Sequence, residues 1–249
     1  MPRHTAQIEL PGVTPSRQQR SRETTQALLA AGAELLCSRT LAELSISELC
    51  VQIGATVGAF YSRFDSKEAY FNALLALTLR DGREQLLKLP PAPPGPGGAD
   101  DQCLQLVRGI VVWMRRHKGV LRAALMRSES GANNWTGFKE LAQALSERAS
   151  MVLLPLLHGA RAPGRRTATA RERRTVAFGI QVVLGTLVNA ILNDPGPLSI
   201  DDDEIAERLG ACLLLLLGAP STAAPRRRDR KSTRLNSSHC EASRMPSSA

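Results

Sequence analysis

The chain has 249 residues, 22% of them charged, with a formal net charge of +9. That is long enough for one large or two small domains. Aromatics make up only 4% and Leu and Ala dominate, which favours helix packed on helix over a sheet.

From the N-terminus, residues 1–15 are Pro-rich and read as a disordered extension lacking the apolar core of a signal peptide. Ser16 to Arg22, SRQQRSR, is a basic arm leading into a first helix expected near Glu23 to Cys37. Ser45 then caps a second helix, and Glu48 three residues later completes an S-x-x-E capping box. Ile46, Leu49, Cys50 and Ile53 form an apolar stripe at helical spacing. Gly54 lets the chain leave that helix in a left-handed conformation. Thr56 caps a third helix from Val57 to Arg63, and Asp65-Ser66 opens a fourth that reaches about Lys88. Helix, tight glycine turn, short helix is the geometry that places a recognition helix in the DNA major groove.

PPAPPGPGG, residues 90–98, is a loop, because its prolines cannot continue a helix. Beyond it the periodicity predicts helices near Asp101 to His117, Val120 to Ser128 and Trp135 to His158. A basic loop, GARAPGRRTATAR, precedes two further helices, near Thr169 to Asn193 and Asp202 to Leu217. Asp201, Asp202, Asp203 and Glu204 gather where the last one starts, placing negative charge at the positive end of its dipole. VAFGIQVVLGTLVNAIL and LGACLLLLLG are apolar over most of their circumference, so each must bury a second face. No segment is expected to span a membrane, and cytoplasmic residence is the default.

Five cysteines are scattered without metal spacing. Cys37, Cys50 and Cys212 lie on apolar faces and read as small buried thiols, while Cys103 is left as a conceivable redox sensor. No metal or other cofactor is expected. The last 21 residues, 229–249, need separate treatment: DRKSTRLNSSH and SRMPSSA are both translations of sequencing-library adapter strands. They read as adapter read-through, with the true stop codon lost, and they contribute +2 of the +9.

The stretch from Arg17 to Leu79 resembles the DNA-binding domain of the tetracycline-repressor (TetR) family of bacterial transcription regulators. The resemblance rests on the first helix ALLAAGAELLC, the S-I-x-E-L segment, the glycine turn, and above all G-A-F-Y-x-R-F-x-S-K-E. Two departures fall on the recognition element: Ala55 stands where Val is usual in the family, and Arg63 where His or Tyr is commoner. The resemblance implies an all-α protein. A helix-turn-helix DNA-binding domain at 16–80 is followed by a helical effector-binding and dimerisation domain at 81–218 and a tail at 219–249.

It further implies a ligand-responsive repressor, not an enzyme, that binds an inverted-repeat operator in double-stranded DNA at the nucleoid. The partner subunit is a second copy, joined through the last two helices, with Gly179 and Gly185 permitting close approach. Thr56, Val57 and Ala59, with Ser47, face base edges; Tyr61 and Lys67 hold phosphates; Ser45 adds a phosphate contact to its capping role. Arg63 either clamps a phosphate or reads guanine. Phe60 and Phe64 are read as core. A small-molecule effector would sit between helices, with Trp113, Met126, Trp135, Phe138, Phe178 and Gln181 as wall candidates.

Residues 1–80 carry eight Lys/Arg against seven Asp/Glu, so bulk charge does not itself argue for DNA. Two rival readings remain. One is a regulator working through protein contacts alone, against which Tyr61 and Lys67 speak. The other is a helical-bundle enzyme, which would need inward Glu-x-x-His pairs; none of His4, His117, His158 or His239 has a Glu three residues before it.

Overall fold

A computed structural model describes residues 19–88, 98–127, 135–161 and 167–218. The N-terminal extension, the start of the basic arm, the proline-rich loop up to residue 97, most of the basic loop and the adapter-like tail lie outside the described residues. The described residues are helical, without a strand. The helices are α1 (Gln19–Leu35), α2 (Ile46–Gln52), α3 (Val57–Tyr61), α4 (Lys67–Lys88), α5 (Gly98–Arg127), α6 (Trp135–Arg161), α7 (Ala170–Asn193) and α8 (Glu204–Leu216).

Several boundaries differ from the sequence reading for local reasons. α1 begins within the basic arm, where Gln19 bonds Glu23 at 3.2 Å and the hydroxyls of Thr24 and Thr25 bond carbonyls one turn back. It also ends earlier than expected, which leaves Cys37 in the following turn and exposed. Ser45 caps α2 by accepting from the Glu48 N–H at 3.4 Å. Glu48 does not return the bond, because its carboxylate pairs with Arg39 instead. The capping box forms elsewhere, at the start of α7, where Thr169 and Glu172 bond reciprocally.

The largest difference is α5. The two helices expected on either side of Gly119 are one helix of 30 residues. Up to Lys118, α5 serves α8: Arg108 pairs with Glu207, Arg115 donates to the Ile200 and Asp202 carbonyls at 2.6 and 2.7 Å, and Lys118 meets Asp201 at 2.7 Å. Two carboxylates of the acidic cluster, Asp201 and Asp203, are therefore spent on the α5 cations Lys118 and Arg115, and Asp203, the N-cap of α8, makes no side-chain cap bond among the described residues. From Gly119 onward α5 serves the N-terminal helices. A Cβ at Gly119 would stand 2.6 Å from the Cys37 backbone nitrogen, and Arg122 donates to the Leu36 and Arg39 carbonyls at 2.9 and 3.3 Å.

The buried side chains form two cores. One gathers α1 to α4 with Val120, Ala123 and Ala124 of α5. The other gathers α5 to α8, with Leu86 of α4 packed against it. Both α4 and α5 cross between them, and Phe138 of α6 touches both.

α7 buries Val176, Ile180, Val183 and Leu187 inward. Phe178 (54% exposed) and Gln181 stay outward. Leu215 and Leu216 of α8 are also exposed. By length and composition α7 could cross a membrane, although no segment was expected to; a third of its apolar window is buried within the chain. Gly179 approaches α8, where a Cβ would stand 2.6 Å from Leu213 Cδ1, whereas Gly185 meets nothing within 4 Å.

Candidate nucleic-acid interface

The short helix α3 is held by caps at one end and by aromatic packing beneath. Thr56 is extended and accepts from the Ala59 N–H at 3.1 Å, which fixes the first turn of α3. Gly54, at φ +66°, makes the turn between α2 and α3. That conformation costs a residue with a Cβ about 1 kcal/mol or more. Beneath α3, Phe60, Phe64 and Tyr70 are fully buried with ring centroids 5.0–5.2 Å apart. Tyr70 donates its hydroxyl to the Leu28 carbonyl at 2.7 Å, which ties α4 to α1, and burial pushes its phenol pKa up.

With Phe60 turned into this core, the opposite side of α3 must face out. Thr56, Val57 and Gly58 are exposed, and so is Ser47 on α2. Tyr61 is 54% exposed, its ring edge against Phe60. Ala59 and Ser45 are half-buried. The sequence-derived base and phosphate candidates thus fall on α3, on the starts of α2 and α4, and on the turns beside them. Val51, 79% exposed on α2, had no assigned role; its place off the Ile46–Leu49–Cys50–Ile53 stripe was the available signal.

Two candidates are already engaged. Lys67 donates to the Ala42 carbonyl at 2.9 Å, joining the start of α4 to the α1–α2 connection. A carbonyl leaves the ammonium charge and two further donors intact. Arg63 spans to α1, donating to the Ser21 hydroxyl at 2.9 Å and the Ser21 carbonyl at 3.4 Å, and also bonds the Ala59 carbonyl. Its guanidinium is a strut between α1 and the exit of α3.

The effector-wall candidates do not gather around one space. Trp113 lies between α4, α5 and α6, its ring 3.0 Å from where a Gly82 Cβ would sit and 5.2 Å from the His117 ring. Its indole N–H is buried without a partner among the described residues. Phe138 is half-buried on the neighbouring face of α6. Met126 is exposed at the far end of α5, and Phe178 and Gln181 face outward from α7. α6 begins at Trp135, whose side chain lies outside the described residues.

Between α4 and α5 a polar chain runs from Thr78 through His117 to Asp81, at 3.5 and 2.9 Å. Burial would raise the Asp81 carboxyl, but the His117 hydrogen bond and charge, with Gln85 and Arg116, hold it below its ordinary value. Cys103 is fully buried, and desolvation followed by the nearby Asp100 pushes its thiol up to about 12. Such a thiol stays protonated, which removes the basis for redox sensing there. No cluster of three or more His, Cys, Asp or Glu suited to a metal ion occurs among the described residues.

Residues 28–74 match the family model described as bacterial regulatory proteins, tetR family. No curated protein matches the chain in sequence. Among solved structures, a tetR-family transcriptional regulator from Streptomyces coelicolor is 19% identical, with a TM-score of 0.56 over 78% of this chain and 80% of that one. A TetR-family regulator described as putative, from Mesorhizobium loti, is 12% identical, with a TM-score of 0.58 over 80% and 98%. NalD, the secondary repressor of the MexAB-OprM multidrug efflux pump in Pseudomonas aeruginosa, is 20% identical, with a TM-score of 0.50 over 80% and 97%. At these identities the likeness is one of fold.

Proposed function

Since the chain belongs to the tetR family of bacterial regulatory proteins and is a DNA-binding transcriptional regulator, we propose that it is a ligand-responsive repressor. It acts in the cytoplasm on an inverted-repeat operator, as a homodimer. The observation that carries this reading is the two-sidedness of α3: Phe60 is fully buried while Thr56, Val57 and Tyr61 stand exposed on a helix capped at its start. Thr56, Val57, Ala59 and Ser47 read base edges, Val57 and Ala59 by apolar contact with thymine methyls. Tyr61, Lys67 and Ser45 hold phosphates. Arg63, bonded to Ser21, serves chiefly to orient α3.

Residues 16–80 form the DNA-binding domain and 81–218 the regulatory one. The dimer forms through the outward faces of α7 and α8, where Phe178, Leu215 and Leu216 are exposed although apolar. Two-fold protein symmetry then selects two-fold DNA symmetry. The effector binds between α4, α5 and α6, with the buried Trp113 N–H, which has no partner among the described residues, as a donor and Phe138 as an apolar wall.

Fluorescence-polarisation titration with DNA from upstream of the gene tests the operator reading. Saturable binding that survives competition by unrelated DNA supports it, and equal affinity for both would overturn it. Analytical ultracentrifugation of Phe178→Glu tests the dimer: the variant is expected to be monomeric where the unmodified chain is not.

A further inference from the structure

Arg108, Arg115 and Arg122 stand one heptad apart on α5, so they share one side of the helix, each about 10 Å beyond the last. Their partners follow in the same order. Arg108 pairs with Glu207 of α8. Arg115 holds the α7–α8 connection through the Ile200 and Asp202 carbonyls and the Asp203 carboxylate. Arg122 donates to the Leu36 and Arg39 carbonyls of the α1–α2 connection. One stripe of guanidinium groups thus runs from α8 to the end of α1.

At Arg122 a single guanidinium nitrogen, Nη2, bonds both carbonyls. Its hydrogens lie in a rigid plane, so the pair of bonds sets direction as well as distance. The same connection is tied from two other sides: Arg39 pairs with Glu48 of α2, and Lys67 of α4 donates to the Ala42 carbonyl. The Thr40 N–H and hydroxyl, and after them the charges of Arg39 and Arg122, hold the Glu43 carboxyl below its ordinary value. Arg122 therefore has a carboxylate acting on it as well as two carbonyls, and what it supplies is a tie between chain segments.

We propose that Arg122 is a positioning residue for DNA binding, locking the helix-turn-helix domain to the body formed by α5 and α8. Because α8 belongs to the dimer surface, the lock also sets the separation of the two α3 helices; that clause rests on the function proposed above.

The chain carries its own probes for the test. Its two tyrosines, Tyr61 and Tyr70, lie in the N-terminal helices, and its two tryptophans, Trp113 and Trp135, in α5 and α6. Urea unfolding of the full chain, followed by tyrosine absorbance and by tryptophan fluorescence, reads the two parts separately. In the unmodified chain the two curves should coincide, as in one cooperative unit. Arg122→Met keeps an unbranched stem without donors and should move the tyrosine curve about 1 M lower in urea while the tryptophan curve stays. Arg122→Lys should restore part of the coincidence, and Lys139→Met, which removes an exposed charge from α6, should leave it intact. In polarisation titrations Arg122→Met should weaken the two-half-site operator about tenfold, yet bind a duplex with one half-site scrambled as before. Its salt dependence should not change, because no phosphate contact is lost. Three results would each overturn the proposal: separate curves in the unmodified chain, both curves shifting together in Arg122→Met, or equal losses on the two duplexes. An unmodified chain that does not prefer operator to unrelated DNA sinks the operator reading alone, and the urea curves still decide whether Arg122 locks the two parts together.

Discussion

Two glycines on α5 should respond to the same substitution with opposite signs. Gly109 is exposed, and a Cβ there would meet nothing within 4 Å. Gly109→Ala therefore gains helix propensity alone, about 0.5–1 kcal/mol. In a domain of this size that raises Tm by about 2–4 °C per kcal/mol. Gly119 receives the same propensity gain, but its Cβ would fall 2.6 Å from both the Leu36 carbonyl carbon and the Cys37 nitrogen. Those are backbone atoms, which no rotamer change moves aside. Overpacking of this kind costs about 1–3 kcal/mol. Separating the helices would also stretch the Arg122 bonds to the Leu36 and Arg39 carbonyls. Gly119→Ala should thus lower stability by about 1 kcal/mol or more, taking the two costs together. Thermal melts by circular dichroism measure both variants, at one protein concentration because self-association shifts Tm. A Gly119→Ala variant that melts as high as Gly109→Ala would refute the close approach of α5 to the end of α1.

Three further outcomes are expected. Lys67→Ala should weaken operator and unrelated DNA alike and make the salt dependence shallower, by about one released counterion for each phosphate left unpaired, read from polarisation titrations at several salt concentrations. A selective loss of operator binding would contradict the phosphate role. Tyr70→Phe removes the donor to the Leu28 carbonyl inside the aromatic core and should cost about 1 kcal/mol by urea denaturation. Glu172 is held at about 2, below its ordinary 4.5, first by the Thr169 backbone N–H and then by the His158 and Thr169 side chains. Its charged form is favoured on folding, so its contribution is complete above the ordinary value and lost as pH falls toward the lower one. Tm should fall less steeply over that acid window in Glu172→Gln than in the unmodified chain.

The elements most legible in the sequence were those specified by neighbours a few residues away. Ser45 and Thr56 cap as their spacing suggested, Gly54 takes the left-handed turn, and Phe60 and Phe64 fill the core. What spacing could not show was competition from distant residues. Glu48 has two potential partners, and Arg39, nine positions away, takes it from the Ser45 cap. Arg63 was left between two DNA roles, and its link to Ser21 spans 42 positions. A glycine between charged segments reads as a break, yet α5 runs through Gly119 because both sides of that residue are anchored, by Lys118 to Asp201 and by Arg122 to Leu36. The effector candidates scattered for a related reason. Apolar periodicity shows that a helix side is buried but not against which neighbour, so Met126, Phe178 and Trp113 looked alike and lie in three different places.

The unbroken run of α5 also has a mechanical consequence. Thirty residues make a rod about 45 Å long, held by α8 in its first half, where Arg108 and Arg115 pair with Glu207 and Asp203, and pressed on the end of α1 from Gly119 onward. A stiff rod converts angle into distance: a tilt of about 5° at the α8 end sweeps the tip through about 4 Å. In a two-fold pair the tips move in opposite senses, so the separation of the two α3 helices would change by up to about 8 Å. In a homodimer seated on an inverted repeat as proposed above, with half-sites about 34–36 Å apart, such a change would pull one α3 from its groove while the other stayed seated. Two helices hinged at Gly119 would absorb the same tilt at the joint and leave the DNA unaware of it.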